Sequence, residues 1–173
     1  MDIEKAMEQF RCIQEKYSFH SFGDNYEEFS NEINYKLKGT DYLLAVNSNF
    51  EDWFEVRITH DNNTIALADL SFSLINPLYI YKMFGVETEQ HGYFSLNKVE
   101  VEAEYRNQNL GKLLIQISLA LLAGYLVMGE VAPYGKTAMS VEKLSLWYKN
   151  QGFDIIELKT GTYLSLDLSD DFY

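Results

Sequence analysis

The spacing of apolar residues predicts two amphipathic helices at the start of the chain. The first covers Asp2 to Tyr17. The second covers Tyr26 to Leu37, where apolar side chains recur at spacings of three and four residues, namely Tyr26, Phe29, Ile33 and Leu37. Gly39 is suited to end this helix. A helical segment over residues 1–40 is therefore expected.

Alternating apolar and polar residues then predict strands. A short strand covers Tyr42 to Val46, and a longer one covers Trp53 to Thr59. The turn residues Asp61-Asn62-Asn63 join the longer strand to another over Thr64 to Leu74, which makes a hairpin. The aromatic stretch Leu78 to Phe84 fits either a helix or a strand.

The second half of the chain alternates strands and helices. A strand over Tyr93 to Glu102 precedes a strongly apolar helix over Leu110 to Tyr125. Then follow a strand, a helix and a closing hairpin, over Leu126 to Ala132, Thr137 to Asn150, Phe153 to Leu158 and Thr162 to Leu168. This order predicts a mixed α/β fold whose sheet is antiparallel in its first half and contains a parallel crossover.

The strand over Tyr93 to Glu102 changes the parity of its apolar positions. Phe94 and Leu96 are even, whereas Val99 and Val101 are odd. Because a strand alternates faces, keeping all four side chains inward requires one extra residue near Asn97-Lys98, which is a β-bulge. A sheet covered on both faces explains the same pattern equally well.

The turn Arg106 to Gly111 is the main candidate for chemistry. It joins an apolar strand to a helix, so free backbone N–H groups and the positive end of the helix dipole lie together, a geometry that binds phosphate. Gly111 permits close approach of a ligand, and Asn109 is suited to positive φ. An ordinary helix start accounts for this turn equally well.

Composition and charge narrow the choice of function. The 173 residues include one cysteine, Cys12, and carry a net charge of −12. One domain in a reducing, cytoplasmic compartment is expected, and binding to nucleic acid is disfavoured. The acidic balance suits a cationic substrate, although solubility alone explains it as well. The apolar stretch from Leu113 to Met128 is shorter than the roughly 20 residues of a membrane span, so no membrane partner is expected.

Two motifs resemble those of the GCN5-related N-acetyltransferase (GNAT) superfamily. Arg106-x-x-Asn109-x-Gly111 is similar to its pyrophosphate-binding motif, in which Asn109 replaces the usual first glycine. Leu146-Trp147-Tyr148, with Gly152-Phe153 four residues on from the tyrosine, is similar to its second signature. The resemblance covers about residues 94–168 and implies a GNAT-like sheet of about six to seven strands, a parallel splayed pair in the middle, and about four helices.

The resemblance implies acetyl-CoA as the donor and places its parts. The pyrophosphate would bind the turn, at Arg106 and at the backbone of Gln108, Asn109, Leu110, Gly111 and Lys112. The pantetheine would run between strand Leu96–Glu102 and strand Leu126–Ala132, and would pair with the main chain near Val99 and Val101.

The resemblance also implies two catalytic roles. Tyr148 matches the tyrosine that protonates the departing thiolate, although a core aromatic is the simpler reading of any one tyrosine. Glu130, in an apolar strand where burial would suit a base, is the first candidate to take the amine proton. Glu100, Glu102 and Glu104 are alternatives, and any of these carboxylates can equally be a solvated charge.

An N-acetyltransferase acting on a primary amine of a small molecule or protein is the expected function. A catalytically inactive GNAT fold that binds or inhibits another protein is the alternative. The three histidines, His20, His60 and His91, have no ligand spacing, so no metal is expected. The aromatic cluster of Tyr79, Tyr81, Phe84, Tyr93 and Phe94 suits an acceptor pocket, a core or a dimer surface, which leaves a homodimer possible.

Overall fold

The computed structural model describes residues 29–37, 40–48, 53–122, 124–134 and 139–168. The predicted helix over Asp2 to Tyr17 lies outside these residues. Eight strands and three α-helices are present in the described part of the chain. The strands are β1 (Phe29–Leu37), β2 (Thr40–Ser48), β3 (Trp53–His60), β4 (Asn63–Leu74), β5 (Gly92–Val101), β6 (Leu126–Glu130), β7 (Asp154–Leu158) and β8 (Gly161–Asp167). The helices are α1 (Pro77–Phe84), α2 (Leu110–Leu121) and α3 (Val141–Lys149), and a 3₁₀ turn covers Ala103–Tyr105.

The chain divides into two compact units. The first comprises Met1–Ser71 and Lys98–Leu121, and the second comprises Phe72–Asn97 and Leu122–Tyr173. In the first unit, β1 to β4 form an antiparallel meander in chain order. The predicted hairpin is confirmed, and Asp61 and Asn62 at its turn both have positive φ, as a tight primed turn requires.

Strand β1 corrects the prediction of a helix over Tyr26 to Leu37. Residues 29–37 pair antiparallel with β2 along their whole length. The spacing of four between Phe29, Ile33 and Leu37 is even, so it fits the period of a strand as well as that of a helix. Hydrogen bonding to β2 decides between the two, and local periodicity carries no information about it.

Helix α2 covers the core of the first unit by packing on β3. Its predicted apolar face is confirmed, because the following side chains are buried: Leu110, Leu113, Leu114, Ile117 and Leu121. Facing strand residues such as Phe54, Val56 and Ile58 are fully buried. The helix ends at Leu121, four residues before the predicted end.

In the second unit the strands lie in the order β5–β6–β8–β7. β5 and β6 are parallel, whereas β6 with β8 and β8 with β7 are antiparallel. The aromatic stretch left open between helix and strand is α1, which begins at the Asn76 cap and ends at Gly85 in the left-handed region. Ile80 of α1 packs with Leu126 and Met128 of β6 in a buried cluster.

The predicted fold class is confirmed as a mixed α/β fold with an antiparallel first half and a parallel pair, β5 and β6. The described residues contain eight strands rather than six to seven, because β1 replaces a predicted helix. They contain three α-helices, and the predicted helix over Asp2 to Tyr17 lies outside them.

Candidate functional site

The turn that precedes α2 and follows the 3₁₀ segment contains two asparagines in the left-handed conformation. Asn107 has φ of 62° and Asn109 has φ of 64°. Asparagine is among the few non-glycine residues that enter this region readily. The positive φ expected at Asn109 is therefore confirmed, whereas that at Asn107 was not anticipated from the sequence.

The first turn of α2 presents backbone donors. The N–H of Leu113 donates to the carbonyl of Asn109 at 3.0 Å, which is the first bond of the helix. The N–H groups of Leu110, Gly111 and Lys112 precede it and have no intrahelical acceptor. The Leu110 side chain is buried, so it fixes the helix start against the core. Such an array of N–H groups beside left-handed residues suits an anion.

Arg106 is tied to the end of β5. Its Nε donates to the carbonyl of Val101 at 3.1 Å, and the side chain is exposed. Val101 and Val99 are half-buried in β5. The predicted phosphate-binding arginine thus lies beside a predicted pantetheine-binding residue.

Tyr42 contacts the turn from β2. Its hydroxyl donates to Oε1 of Gln108 at 3.2 Å, and the tyrosine is buried. The two residues are 66 positions apart in the sequence. Sequence patterns gave no signal for this bond, since Tyr42 reads only as an apolar strand position.

His60, the last residue of β3, bonds to the residue that ends the 3₁₀ turn. Its Nδ1 lies 3.1 Å from the hydroxyl of Tyr105. The His60 ring also lies 5.3 Å from the ring of Tyr42 and 5.9 Å from that of Tyr105, centroid to centroid. Desolvation, followed by the charge of Glu104, raises the pKa of the Tyr105 phenol above its usual value, so the phenol stays protonated at neutral pH.

A register shift in the β3–β4 hairpin leaves one residue of β4 without a direct partner. Ile58 pairs with Ala66 and Thr59 with Thr64, so Ile65 between them is the extra residue of a bulge. The carbonyl of Ile65 accepts the N–H of Glu102 at 2.9 Å. The bulge thereby holds the chain just before the 3₁₀ turn.

The bulge expected at Asn97-Lys98 of β5 stays a prediction. Buried and partly exposed residues alternate strictly up to Leu96, and Asn97 is exposed. The four residues from Lys98 to Val101 are all half-buried. The alternation of buried and partly exposed residues therefore ends where the apolar positions change from even to odd numbers.

β5 and β6 pair over a short distance in the second unit. The register comprises Tyr93 with Leu126, Phe94 with Val127, and Ser95 with Met128. At Gly129 a Cβ atom would lie 2.8 Å from the carbonyl oxygen of Leu96, which is too close for any side chain. The glycine thus permits the close approach of β6 to β5.

Glu130 lies exposed at the end of β6, so the burial expected for it is wrong. Its cross-strand partner in β8 is Tyr163. A Cβ atom on Gly161 would lie 3.5 Å from Oε1 of Glu130 and 3.6 Å from the hydroxyl of Tyr163. Gly161, with φ of 157°, therefore lies beside a carboxylate and a phenol, and a Cβ atom there would make ordinary van der Waals contact with both. The ring of Phe84 meets that of Tyr163 edge to face at 5.3 Å.

Tyr148 lies on the buried face of α3 and is 7% exposed. Its ring contacts those of Trp147 and Phe153 at centroid distances of 4.9 and 5.8 Å. Burial raises the pKa of the Tyr148 phenol to about 12. The hydroxyl is therefore protonated at neutral pH and can donate a proton.

The alternative carboxylates lie in β5 and in the segment that follows it, and Glu100 forms an ion pair with Lys98. Glu102 and Glu104 are exposed and Glu100 is half-buried. Cys12 and His20 lie outside the described residues. Over the ranges that the structure covers, no group of three or more His, Cys, Asp or Glu side chains could hold a metal ion. In the same ranges, no helix is long and apolar enough to cross a membrane.

Comparison with known proteins gives matches to solved structures only. No protein-family model matches the chain, and no curated protein matches it. The acetoin utilization protein of Exiguobacterium sibiricum matches with a TM-score of 0.52 and 12% identity, over 85% of this chain and 90% of that one.

Two further structures match with lower scores. NAA60 of Arabidopsis thaliana, in complex with a bisubstrate analogue, has a TM-score of 0.49 and 12% identity, over 66% of this chain and 75% of that one. The N-acetyltransferase YlbP of Bacillus subtilis, in complex with coenzyme A, has a TM-score of 0.45 and 15% identity, over 65% of this chain. The match spans 66% of YlbP, just under two thirds of its length.

The likeness to the acetoin utilization protein extends over most of both chains. The mixed α/β fold expected from the sequence is confirmed. At 12 to 15% identity the likeness concerns the fold alone.

Proposed function

We propose that the protein transfers an acetyl group from acetyl-CoA to a primary amine. The observation that carries this proposal is the turn before α2, in which Asn109 adopts the left-handed conformation suited to glycine. Asn109 stands where the family motif has its first glycine, and its φ of 64° is one that glycine adopts without strain.

The turn is the proposed pyrophosphate site. The backbone N–H groups of Gln108 to Lys112 would donate to the phosphate oxygens, and the helix dipole adds roughly half a positive charge. Arg106 would add a charge-assisted bond from its terminal nitrogens, while its Nε stays on the carbonyl of Val101.

The pantetheine arm is proposed to bind along β5. This strand continues past Ser95, its last residue in register with β6. An amide-containing arm can replace a strand partner there by pairing with the main chain, with Val99 and Val101 on β5 as its proposed partners.

The reaction proposed is direct attack of the amine on the thioester. A C–N bond forms, the C–S bond breaks, and the amine loses a proton to Glu130 directly or through water. Tyr148 gives its phenolic proton to the departing thiolate. The phenol is protonated at neutral pH, as a proton donor must be.

The acceptor is proposed to be a cationic amine that binds beside Glu130 and Tyr163, next to Gly161. Glu130 supplies a carboxylate and Tyr163 a phenol at this position. An alkylammonium group is attracted by a carboxylate and by an aromatic face. The net charge of −12 draws such an acceptor toward the protein.

Calorimetry with acetyl-CoA, followed by turnover on a panel of amines, tests the proposal. Tyr148→Phe is expected to lower kcat by about 100-fold and to leave the acetyl-CoA dissociation constant unchanged. Glu130→Gln is expected to lower kcat/KM more for charged amines than for a neutral aromatic amine. Unchanged rates in both variants would remove these residues from the mechanism.

A second candidate function is binding to another protein without turnover. Helix α1 favours it, because its exposed residues include large apolar side chains, namely Leu78, Tyr79, Tyr81 and Met83. Such a surface is typical of an interaction site. Calorimetry separates the two candidates, since a lack of acetyl-CoA binding at millimolar concentration would favour the binding module.

A further inference from the structure

We propose that Tyr42, His60 and Tyr105 form an anchor that holds the turn before α2 in the conformation needed to bind the pyrophosphate. These three are positioning residues, since they would act on the cofactor through the turn. The inference rests on the proposed function, because the turn is the proposed pyrophosphate site.

The anchor reaches both sides of the turn. On the helix side, the Tyr42 hydroxyl donates to Oε1 of Gln108 at 3.2 Å. On the strand side, Nδ1 of His60 and the hydroxyl of Tyr105 are 3.1 Å apart. Gln108 and Tyr105 flank Arg106 and Asn107 in the chain, so the two bonds hold the segment at both ends.

The anchor is itself built on a rigid base. Tyr42 is buried in β2. β2 pairs with β3 from Leu43 and Thr59 onward, so Tyr42 and His60 continue two adjacent strands. Their rings lie 5.3 Å apart. The bond from the N–H of Glu102 to the carbonyl of Ile65, at 2.9 Å, fixes the chain entering the turn.

Two asparagines in the left-handed conformation explain why the turn benefits from an anchor. Asparagine enters this region less easily than glycine, so the free turn would populate other conformations. Bonds from a buried strand restrict those alternatives, and a preorganised site binds its ligand with less ordering on association.

Removing one hydroxyl at a time tests the anchor. Tyr42→Phe keeps the ring and deletes the bond to Gln108, and Tyr105→Phe deletes the bond to His60. Each is expected to weaken acetyl-CoA binding by about 3- to 10-fold, the usual range for one hydrogen bond. Tyr125→Phe is the matched control, because Tyr125 is also partly buried and its ring contacts Phe72 and Phe94.

A comparison of two acetyl donors distinguishes a positioning role from general destabilisation of the protein. S-acetylpantetheine carries the thioester but no pyrophosphate, so kcat/KM with it should be unchanged in Tyr42→Phe and Tyr105→Phe. The value with acetyl-CoA should fall through KM, with kcat retained. An equal fall with both donors would overturn the inference in favour of a merely structural role.

Hydrogen–deuterium exchange of the protein without ligand gives an independent readout. The amides of residues 107–112 are expected to exchange faster in Tyr42→Phe than in the parent, while those of β6 are unchanged. Unchanged exchange at 107–112 would overturn the anchor. A parent that binds no acetyl-CoA would instead overturn the proposed function, and the anchoring of the turn would still be decided by the exchange.

Discussion

Tyr148 illustrates how burial alone gives a side chain a chemical property. The residue is 7% exposed and packs edge to face on Trp147 and Phe153. Removing the phenol from water disfavours its charged form, which is why its pKa rises to about 12. The same burial makes the ring a part of the core, so its two roles must be measured separately.

The raised pKa predicts a loss of stability in alkali. The folded state keeps the Tyr148 proton up to about pH 12, whereas the unfolded chain releases it near pH 10. The contribution of Tyr148 to the free energy of unfolding is fully present below about pH 10 and is lost as the pH rises through about 12. The loss is on the order of 2 kcal/mol. The free energy of unfolding, measured with urea at pH 9 and pH 11.5, should therefore fall less between the two pH values in Tyr148→Phe than in the parent.

An exposed tyrosine serves as the control for this measurement. Tyr79→Phe removes a hydroxyl from the exposed side of α1 and should leave the alkaline fall unchanged. If Tyr148→Phe and the parent lose equal stability between the two pH values, burial of the phenol does not govern this response.

Single residues also show what a sequence can and cannot predict about the site. The left-handed φ of Asn109 follows from the residue type and its place before a helix. The bond from Tyr42 to Gln108 joins positions 66 apart, and no local pattern reports such a pairing. The expected burial of Glu130 was wrong because β6 is buried only up to Met128 and ends exposed.

A secondary-structure element was predictable where its apolar residues followed one period, that of a helix or that of a strand. Helix α2 and the β3–β4 hairpin appear where apolar spacing and turn residues agree. Strand β1 was not predicted, because its apolar spacing of four fits both a helix and a strand. Its pairing with β2 decides between the two. The sequence did not decide between a helix and a strand for α1, because its aromatic residues lie on all sides and only Ile80 is buried.

The start of α2 gives a prediction at the scale of an element. Asn109→Gly should preserve acetyl-CoA binding, because glycine enters the left-handed region without cost. Asn109→Val should destabilise the turn by about 1 to 2 kcal/mol, since a β-branched residue is strained there. Thermal unfolding and calorimetry on both variants check this. Equal behaviour of the two variants would mean that the left-handed φ of residue 109 is not required.

At the scale of the whole molecule, the chain combines a net charge of −12 with the proposed acetyl-CoA site. A uniform negative field cannot select a substrate by shape, but it raises the local concentration of cations. It also acts against an anionic cofactor, so the backbone donors of the turn would have to supply the attraction for the pyrophosphate.

Ionic strength should therefore act oppositely on the two substrates. Raising salt from about 0.01 to 1 M shortens the screening length from about 30 to 3 Å. The kcat/KM for a dicationic amine should fall by about 10-fold, while that for a neutral aromatic amine should stay level and binding of acetyl-CoA should strengthen. Parallel changes for both amines would show that the net charge does not steer the acceptor.

The short parallel pairing of β5 with β6 also bears on the order in which the chain folds. The meander β1 to β4 joins neighbours through short turns, so its contacts form at little entropic cost. Residues 93–95 pair with residues 126–128, which closes a loop containing all of α2. Pairings of this range form late. We therefore expect the meander to gain protection first and the β5–β6 pairing to complete the fold.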